Sequence, residues 1–239
     1  MFAIVQDTLG FMWMATQDGL NRYDGQRFSV YRPVKNNPHS LQSYYIKRIF
    51  IDKKGELWVG GNQGISHYHY TTDDFTNYRI TPQPGEWYIS AITSDAGNRL
   101  WAASNTGDVY YFDTGTESFK VFNLKGVHPG FKSIYHLSAL PQMLLLGTDE
   151  GLFKMDLTSQ QLSKIDLGTD KVAINEVFID DEQWWLATEG NGVICYQPST
   201  KQVTHYVYKG DNSGLADNDV RSINKDAHGN IWVGTFRGL

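Results

Sequence analysis

The chain has 239 residues, 41% of them hydrophobic, with 21 basic against 26 acidic side chains and a net charge of -5. That length supports a substantial core and favours one repeated domain over two unrelated ones, and the acidic balance argues against a nucleic-acid surface, which carries a clustered basic footprint. No run reaches the ~18 apolar residues of a membrane span, Met1-Phe2-Ala3-Ile4 does not read as a signal peptide, and a lone Cys195 excludes an intrachain disulfide.

The first predicted elements are Phe2 to Asp7, Phe11 to Thr16, Leu20 to Asp24 and Arg27 to Tyr31. Four short strands joined by polar or glycine turns make one antiparallel blade. Asp24-Gly25 is a hairpin signal, since both residues tolerate positive φ. A connector from Arg32 to Ser43 leads to a second copy, with Tyr44 to Asp52, Leu57 to Gly60, Ile65 to Tyr70 and Phe75 to Ile80. The connector Thr81 to Glu86 precedes a third, with Tyr88 to Ser94, Leu100 to Ala103, Asp108 to Phe112 and Ser118 to Phe122. The fourth copy keeps Ile134 to Leu137, Met143 to Thr148, Gly151 to Asp156 and Leu162 to Ile165; the fifth has Asn175 to Ile179, Trp184 to Thr188, Val193 to Gln197 and Gln202 to Tyr208. The sixth starts with Val220 to Lys225 and Ile231 to Thr235 and lacks two outer strands.

Aligned on one apolar anchor, the copies centre on Trp13, Trp58, Trp101, Leu145, Trp185 and Trp232, a spacing that falls in the range of propeller blades. The repeats run approximately over 1–43, 44–86, 87–131, 132–171, 172–217 and a partial 218–239. The expectation is an all-β propeller segment of four-stranded blades in a single domain or fragment, five blades complete and a sixth partial. Asp7, Asp52, Asp95, Asp180 and Asp226 recur before the second strand, where a short carboxylate accepts turn N–H groups; calcium would need them converged. The anchor tryptophans suit packing between blades, and Trp184 and Trp185 point to opposite sides. His67 and His69 share a strand side without a zinc spacing, and Cys195 suits a small core position.

Ligand contacts are expected where connectors enter the inner strands, because those positions line one mouth of a propeller. The pairs there are Tyr44-Tyr45, Trp87-Tyr88, Lys132-Ser133, Val172-Ala173 and Asn218-Asp219. Sugar recognition needs aromatic faces with fixed polar partners. The candidates are Tyr44, Tyr45, Arg48, Trp87, Tyr88, Lys132, His136, Asn175, Asn218, Asp219 and Arg221. Bonds between blades or plain surface are the alternative uses of these residues. No catalytic site, metal site or cofactor motif is expected.

Ile46-x-x-Ile49-x-x-Asp52-x-x-Gly55-x-Leu57-Trp58-Val59-Gly60 and Val220-x-x-Ile223-x-x-Asp226-x-x-Gly229-x-Ile231-Trp232-Val233-Gly234-Thr235 resemble the unit of the two-component regulator propeller repeat. The resemblance implies a segment of a seven-bladed propeller in the periplasmic sensor region of an inner-membrane hybrid histidine kinase. It implies an oligosaccharide or related small ligand, and as partners the missing blades, signalling domains and a second receptor copy in a homodimer. Neither nucleic acid nor membrane contact is expected of the segment. A protein-interaction scaffold and a carbohydrate hydrolase or lyase are the competing readings.

Overall fold

Four-stranded meanders repeat along the computed structural model, which describes residues 1–80, 86–126, 130–211 and 213–239. In a first unit, Met1–Asn123, β1 (Ala3–Gln6), β2 (Met12–Thr16), β3 (Gly19–Tyr23) and β4 (Phe28–Tyr31) form an antiparallel sheet in chain order. The next sheet is β5 (Ile46–Ile51), β6 (Leu57–Gly61), β7 (Gly64–His69) and β8 (Asp74–Arg79); the third is β9 (Ile89–Ser94), β10 (Leu100–Ser104), β11 (Val109–Asp113) and β12 (Ser118–Phe122). The second unit, Leu124–Leu239, begins with β13 (Lys125–Gly126), which pairs in parallel with β17 (Gln161–Lys164) at the edge of the meander β14 (Ile134–Leu140), β15 (Met143–Thr148), β16 (Gly151–Asp156) and β17. It continues with β18 (Ile174–Asp180), β19 (Gln183–Thr188), β20 (Val193–Gln197) and β21 (Gln202–Tyr206), then the pair β22 (Val220–Lys225) and β23 (Ile231–Thr235). This is the expected all-β blade architecture, with no helix among the described residues. Residues 81–85 of the second connector lie outside them.

Strand alternation decides what each blade buries against its neighbours. Leu57 packs with Trp13, Leu20 and Ile46 on the first-blade side, while Trp58 next to it packs with Ile65, Trp87 and Ile89 on the third-blade side. In the second unit Trp184 joins Leu145, Leu186 and Ile194, whereas Trp185 packs against Val193, Val220 and Ile223. The two adjacent tryptophans therefore serve different interfaces, as their spacing requires.

One feature of the inner strands departs from simple alternation. Ile46 and Ile49 are both buried in the same cluster, although residues three apart in a regular strand face opposite sides. A β-bulge resolves the conflict: Ile46 pairs with Gly61 and Arg48 with Gly60, leaving Lys47 without an opposite residue. The same shift leaves out Ser90 in β9, Tyr135 in β14, Asn175 in β18 and Arg221 in β22. Bulges re-aim a side chain and are frequent beside functional sites.

The recurrent aspartates do more than cap turns. Asp7 Oδ1 accepts the backbone N–H of Leu9 and Phe11 at 3.0 and 2.9 Å, and its Oδ2 accepts the Trp13 indole N–H at 2.7 Å. Asp52 with Trp58, Asp95 with Trp101 and Asp226 with Trp232 repeat the indole bond at 3.3, 3.0 and 3.0 Å. The latch also reaches the following blade, since Tyr70 donates to Asp7 and the Asn98 amide to Asp52. Blades four and five have two-residue turns, Pro141-Gln142 and Asp181-Glu182, and neither carries the latch. There Leu145 replaces the tryptophan, and Asp180 instead accepts the Lys225 ammonium at 2.8 Å. Trp185 keeps a buried indole N–H with no hydrogen-bond partner.

Hydrogen bonds from the Asn230 side chain and then from the Trp232 indole hold the Asp226 carboxyl down at about 2. A depressed folded-state pKa means that the latch contributes fully above the unfolded value of 3.8 and is lost as pH falls through about 2. An NMR titration is expected to give an Asp226 midpoint near pH 2, with the Trp232 indole proton moving in step. A midpoint at the ordinary aspartate value, with an unmoved indole proton, would refute the latch in this blade.

Candidate functional site

The backbone ahead of the inner strands of the second to sixth blades is tied to the turn between second and third strands of the same blade, and in places to that of the blade before. The two therefore lie at one end of each blade, its rim. In the first unit Gly19 donates its N–H to the Tyr44 carbonyl at 2.7 Å. Asn105 clamps the third blade, its Oδ1 accepting from Tyr88 N–H and its Nδ2 donating to the Glu86 carbonyl, both at 2.8 Å. Ser43 Oγ donates to the Tyr45 carbonyl at 3.1 Å and accepts the Asn62 N–H at 3.2 Å. Short polar side chains thus replace the regular ladder where the chain enters each blade.

This rim holds a row of aromatic side chains. Phe2, Tyr45 and Tyr88 directly precede β1, β5 and β9, with ring centroids 5.2 Å apart for Phe2 and Tyr45 and 5.9 Å for Tyr45 and Tyr88. The bulged Lys47 places its ammonium 4.2 Å from the Phe2 ring centre and 5.5 Å from that of Tyr88. A side chain from the second blade therefore touches rings of both its neighbours. All four residues are half-buried, which leaves part of each surface open to a ligand.

The other first-unit candidates divide. Tyr44 is 52% exposed on the same connector, with its hydroxyl 3.4 Å from the Pro33 carbonyl. Arg48 Nε donates to the Ser90 carbonyl at 2.5 Å, a bond between inner strands of adjacent blades. Trp87 corrects the expectation of a mouth residue. It is 4% exposed and packs with Trp58, Ile89 and Tyr110, so its ring faces are covered by protein.

In the second unit Lys132 is exposed, and its N–H and that of Ser133 both bond Asp149 Oδ1 at 2.9 Å. His136 Nε2 lies 2.7 Å from Ser138 Oγ. Asn175 Nδ2 donates to the Val220 carbonyl at 2.8 Å, again joining inner strands. Asn218 Oδ1 accepts from Tyr208 N–H at 2.7 Å, and Asp219 N–H donates to Asp217 Oδ1 at 3.0 Å. Arg221 is exposed at the bulge of β22. Sequence reasoning missed Phe2, Lys47 and Tyr135; the signal for the last two was the pair of apolar residues three apart that enforces each bulge.

The histidine pair serves the second blade. His67 stacks on Trp58 at 4.2 Å and meets Glu56 Oε2 at 2.8 Å, and burial pushes its pKa down so that the neutral ring is favoured. Burial likewise raises the Cys195 thiol. Among the described residues no three His, Cys, Asp or Glu side chains converge to hold a metal ion.

With the blade register and the latch established, comparison places the repeat. The sequence pattern of the family described as "Two component regulator propeller" matches residues 40–63 and 214–237, which span the inner two strands of the second and sixth blades. These two stretches carry the two-component regulator propeller repeat. A 40-residue stretch is 48% identical to histidine kinase P4 of Formosa agariphila, covering 17% of this chain and 3% of that protein. The extracellular domain of the hybrid two-component system BT3049 from B. thetaiotaomicron superposes with a TM-score of 0.66 at 22% identity, covering 98% of this chain and 38% of that one. PorZ of Porphyromonas gingivalis gives 0.76 at 18% identity over 99% of this chain and 37% of its own. Virginiamycin B lyase of Staphylococcus aureus gives 0.72 at 13% identity over 97% and 76%. At these identities the propeller repeats share a fold with the solved structures, and the chain spans well under half the length of the first two.

Proposed function

We propose that this chain is a ligand-sensing propeller segment of an extracytoplasmic two-component receptor, and that its ligand is an oligosaccharide. The observation that carries the reading is the half-buried aromatic row Phe2, Tyr45 and Tyr88 on a rim fixed by Ser43, Asn62 and Asn105. Ring faces take the C–H surfaces of a sugar, and neighbouring amides and hydroxyls are suited to its hydroxyl groups. Repeats of the two-component regulator type, and the receptor ectodomain among the similar folds, support a periplasmic setting in an inner-membrane receptor. In that receptor the partners are further blades, a signalling region and a second copy of the chain. Signalling follows if ligand binds one receptor arrangement more tightly than the other, because equal binding shifts no population.

The test is calorimetric titration of an oligosaccharide panel against the chain and against Tyr45→Ala. Loss of one ring contact is expected to weaken the best ligand about tenfold, equivalent to ~1.4 kcal/mol. Affinity unchanged in both Tyr45→Ala and Tyr88→Ala would remove the aromatic row from the site. Failure of every saccharide to bind would defeat the sensing assignment.

A further inference from the structure

The five bulged residues share one register position, yet their chemistry differs from blade to blade. Each is flanked by a buried aliphatic residue on the N-terminal side, such as Ile46 before Lys47 or Val220 before Arg221. The bulged residues themselves are Lys47, Ser90, Tyr135, Asn175 and Arg221, all polar and none aliphatic. Ser90 is buried with its hydroxyl on the Ala103 carbonyl and Asn175 bonds the Val220 carbonyl, whereas Lys47, Tyr135 and Arg221 keep exposed surface, which suits a position of fixed backbone to recognition. In the first unit the consequence is most concrete. Lys47 carries its ammonium to the aromatic row, within 4.2 Å of the Phe2 ring centre and 5.5 Å of that of Tyr88.

We propose that the bulge of β5 makes Lys47 the specificity-determining residue of this mouth, and that the subsite formed by Lys47, Phe2, Tyr45 and Tyr88 takes an anionic sugar, one bearing a carboxylate or a sulfate. The proposal rests on the reading of the rim as a saccharide site and narrows the ligand class. A neutral sugar can use the rings alone; an acidic one gains a charge-assisted hydrogen bond beside a low-dielectric aromatic wall, where such a bond is stronger than in water. The ring contacts also hold the ammonium near its working position, which reduces the ordering cost of the long lysine side chain on binding. Carboxylate and sulfate offer the same chemistry to a lysine, which acts as a point charge rather than a planar fork.

The experiment uses a panel in which each oligosaccharide backbone is present in neutral, uronic-acid and sulfated forms, titrated against the chain, Lys47→Met and Lys47→Arg. At least one acidic form is expected to bind ten- to a hundredfold more tightly than its neutral counterpart, the range a hydrogen bond to a charged group supplies. Comparison of the uronic and sulfated forms identifies which acid is the ligand. The preference should shrink with added salt, vanish in Lys47→Met and return in part in Lys47→Arg. Thermal melts of both variants accompany the titrations, and Lys47→Arg keeps the charge if Lys47→Met melts early. Neutral forms binding as well as acidic ones, with affinity indifferent to Lys47→Met, would overturn the anionic subsite and leave saccharide sensing standing. Absence of binding by every member of the panel would overturn both.

Discussion

Replacing Asp7 with alanine is expected to lower the unfolding free energy of the first unit by about 3–5 kcal/mol, measured by urea denaturation. The carboxylate is buried and has four donors on it: two turn N–H groups, the Trp13 indole and the Tyr70 hydroxyl. Trp13 is itself 0% exposed, so water does not replace the lost acceptor at the indole. The cost of each stranded donor, roughly 1–3 kcal/mol, adds incompletely because the turn relaxes. Asp226→Ala makes the contrasting case, since its partner Trp232 is 51% exposed and solvent can take over the indole bond. That change should cost far less than Asp7→Ala, as an ordinary surface substitution does. Combining Asp7→Ala with Trp13→Phe isolates the shared term, and a coupling near zero in this double cycle would show that the latch contributes nothing of its own.

How much of this was legible in the sequence follows from which constraints are local. The blade period, the strand order within each sheet and the turn role of the aspartates depend on residues close in sequence, and each was readable from spacing. The Asp-to-Trp bond was half visible: a separation of six residues recurs in four copies, but only the five-residue turn brings indole and carboxylate together. In the fifth copy the separation from Asp180 to Trp185 is five, the turn shortens to two residues, and the bond is absent. A one-residue deletion thus explains both the missing turn glycine and the unpaired indole.

The candidate site was less legible, because it depends on residues brought together from different blades. Tyr45 and Tyr88 were readable as residues ahead of inner strands, and the structure brings their rings within 5.9 Å. Trp87 precedes Tyr88 directly and so lies on the opposite side, which here is core. Lys47 follows the buried Ile46 and was unremarkable under plain alternation. Its position becomes meaningful only when Ile46 and Ile49, buried together in one cluster, are seen to require a bulge between them. Apolar residues three apart inside a strand are therefore a sequence sign of where a propeller blade carries a bulge.

The second large effect concerns the glycine that opens the third strand of the first, second and fourth blades. Gly64→Ala is expected to cost about 3–5 kcal/mol, from a strained backbone together with an unavoidable collision. Its φ is +130°, a region that residues with a side chain rarely enter, and an added Cβ would lie 2.2 Å from the Tyr78 carbonyl oxygen. Gly64 pairs with Arg79 across β7 and β8, so relief requires the outer strand to separate from its neighbour. Gly10 separates the two contributions: its φ is +89°, but an added Cβ meets nothing within 4 Å. Gly10→Ala should therefore show the conformational cost alone, about 1–2 kcal/mol. Equal losses for the two substitutions in urea unfolding would mean that the β7–β8 pair yields freely at its inner end. A clear excess for Gly64 would show that this pair is held rigidly there, on the same rim that fixes Tyr45 through Ser43 and Asn62. Rigidity at that rim is what the proposed recognition needs, since a subsite held in place before binding loses less entropy when the ligand arrives.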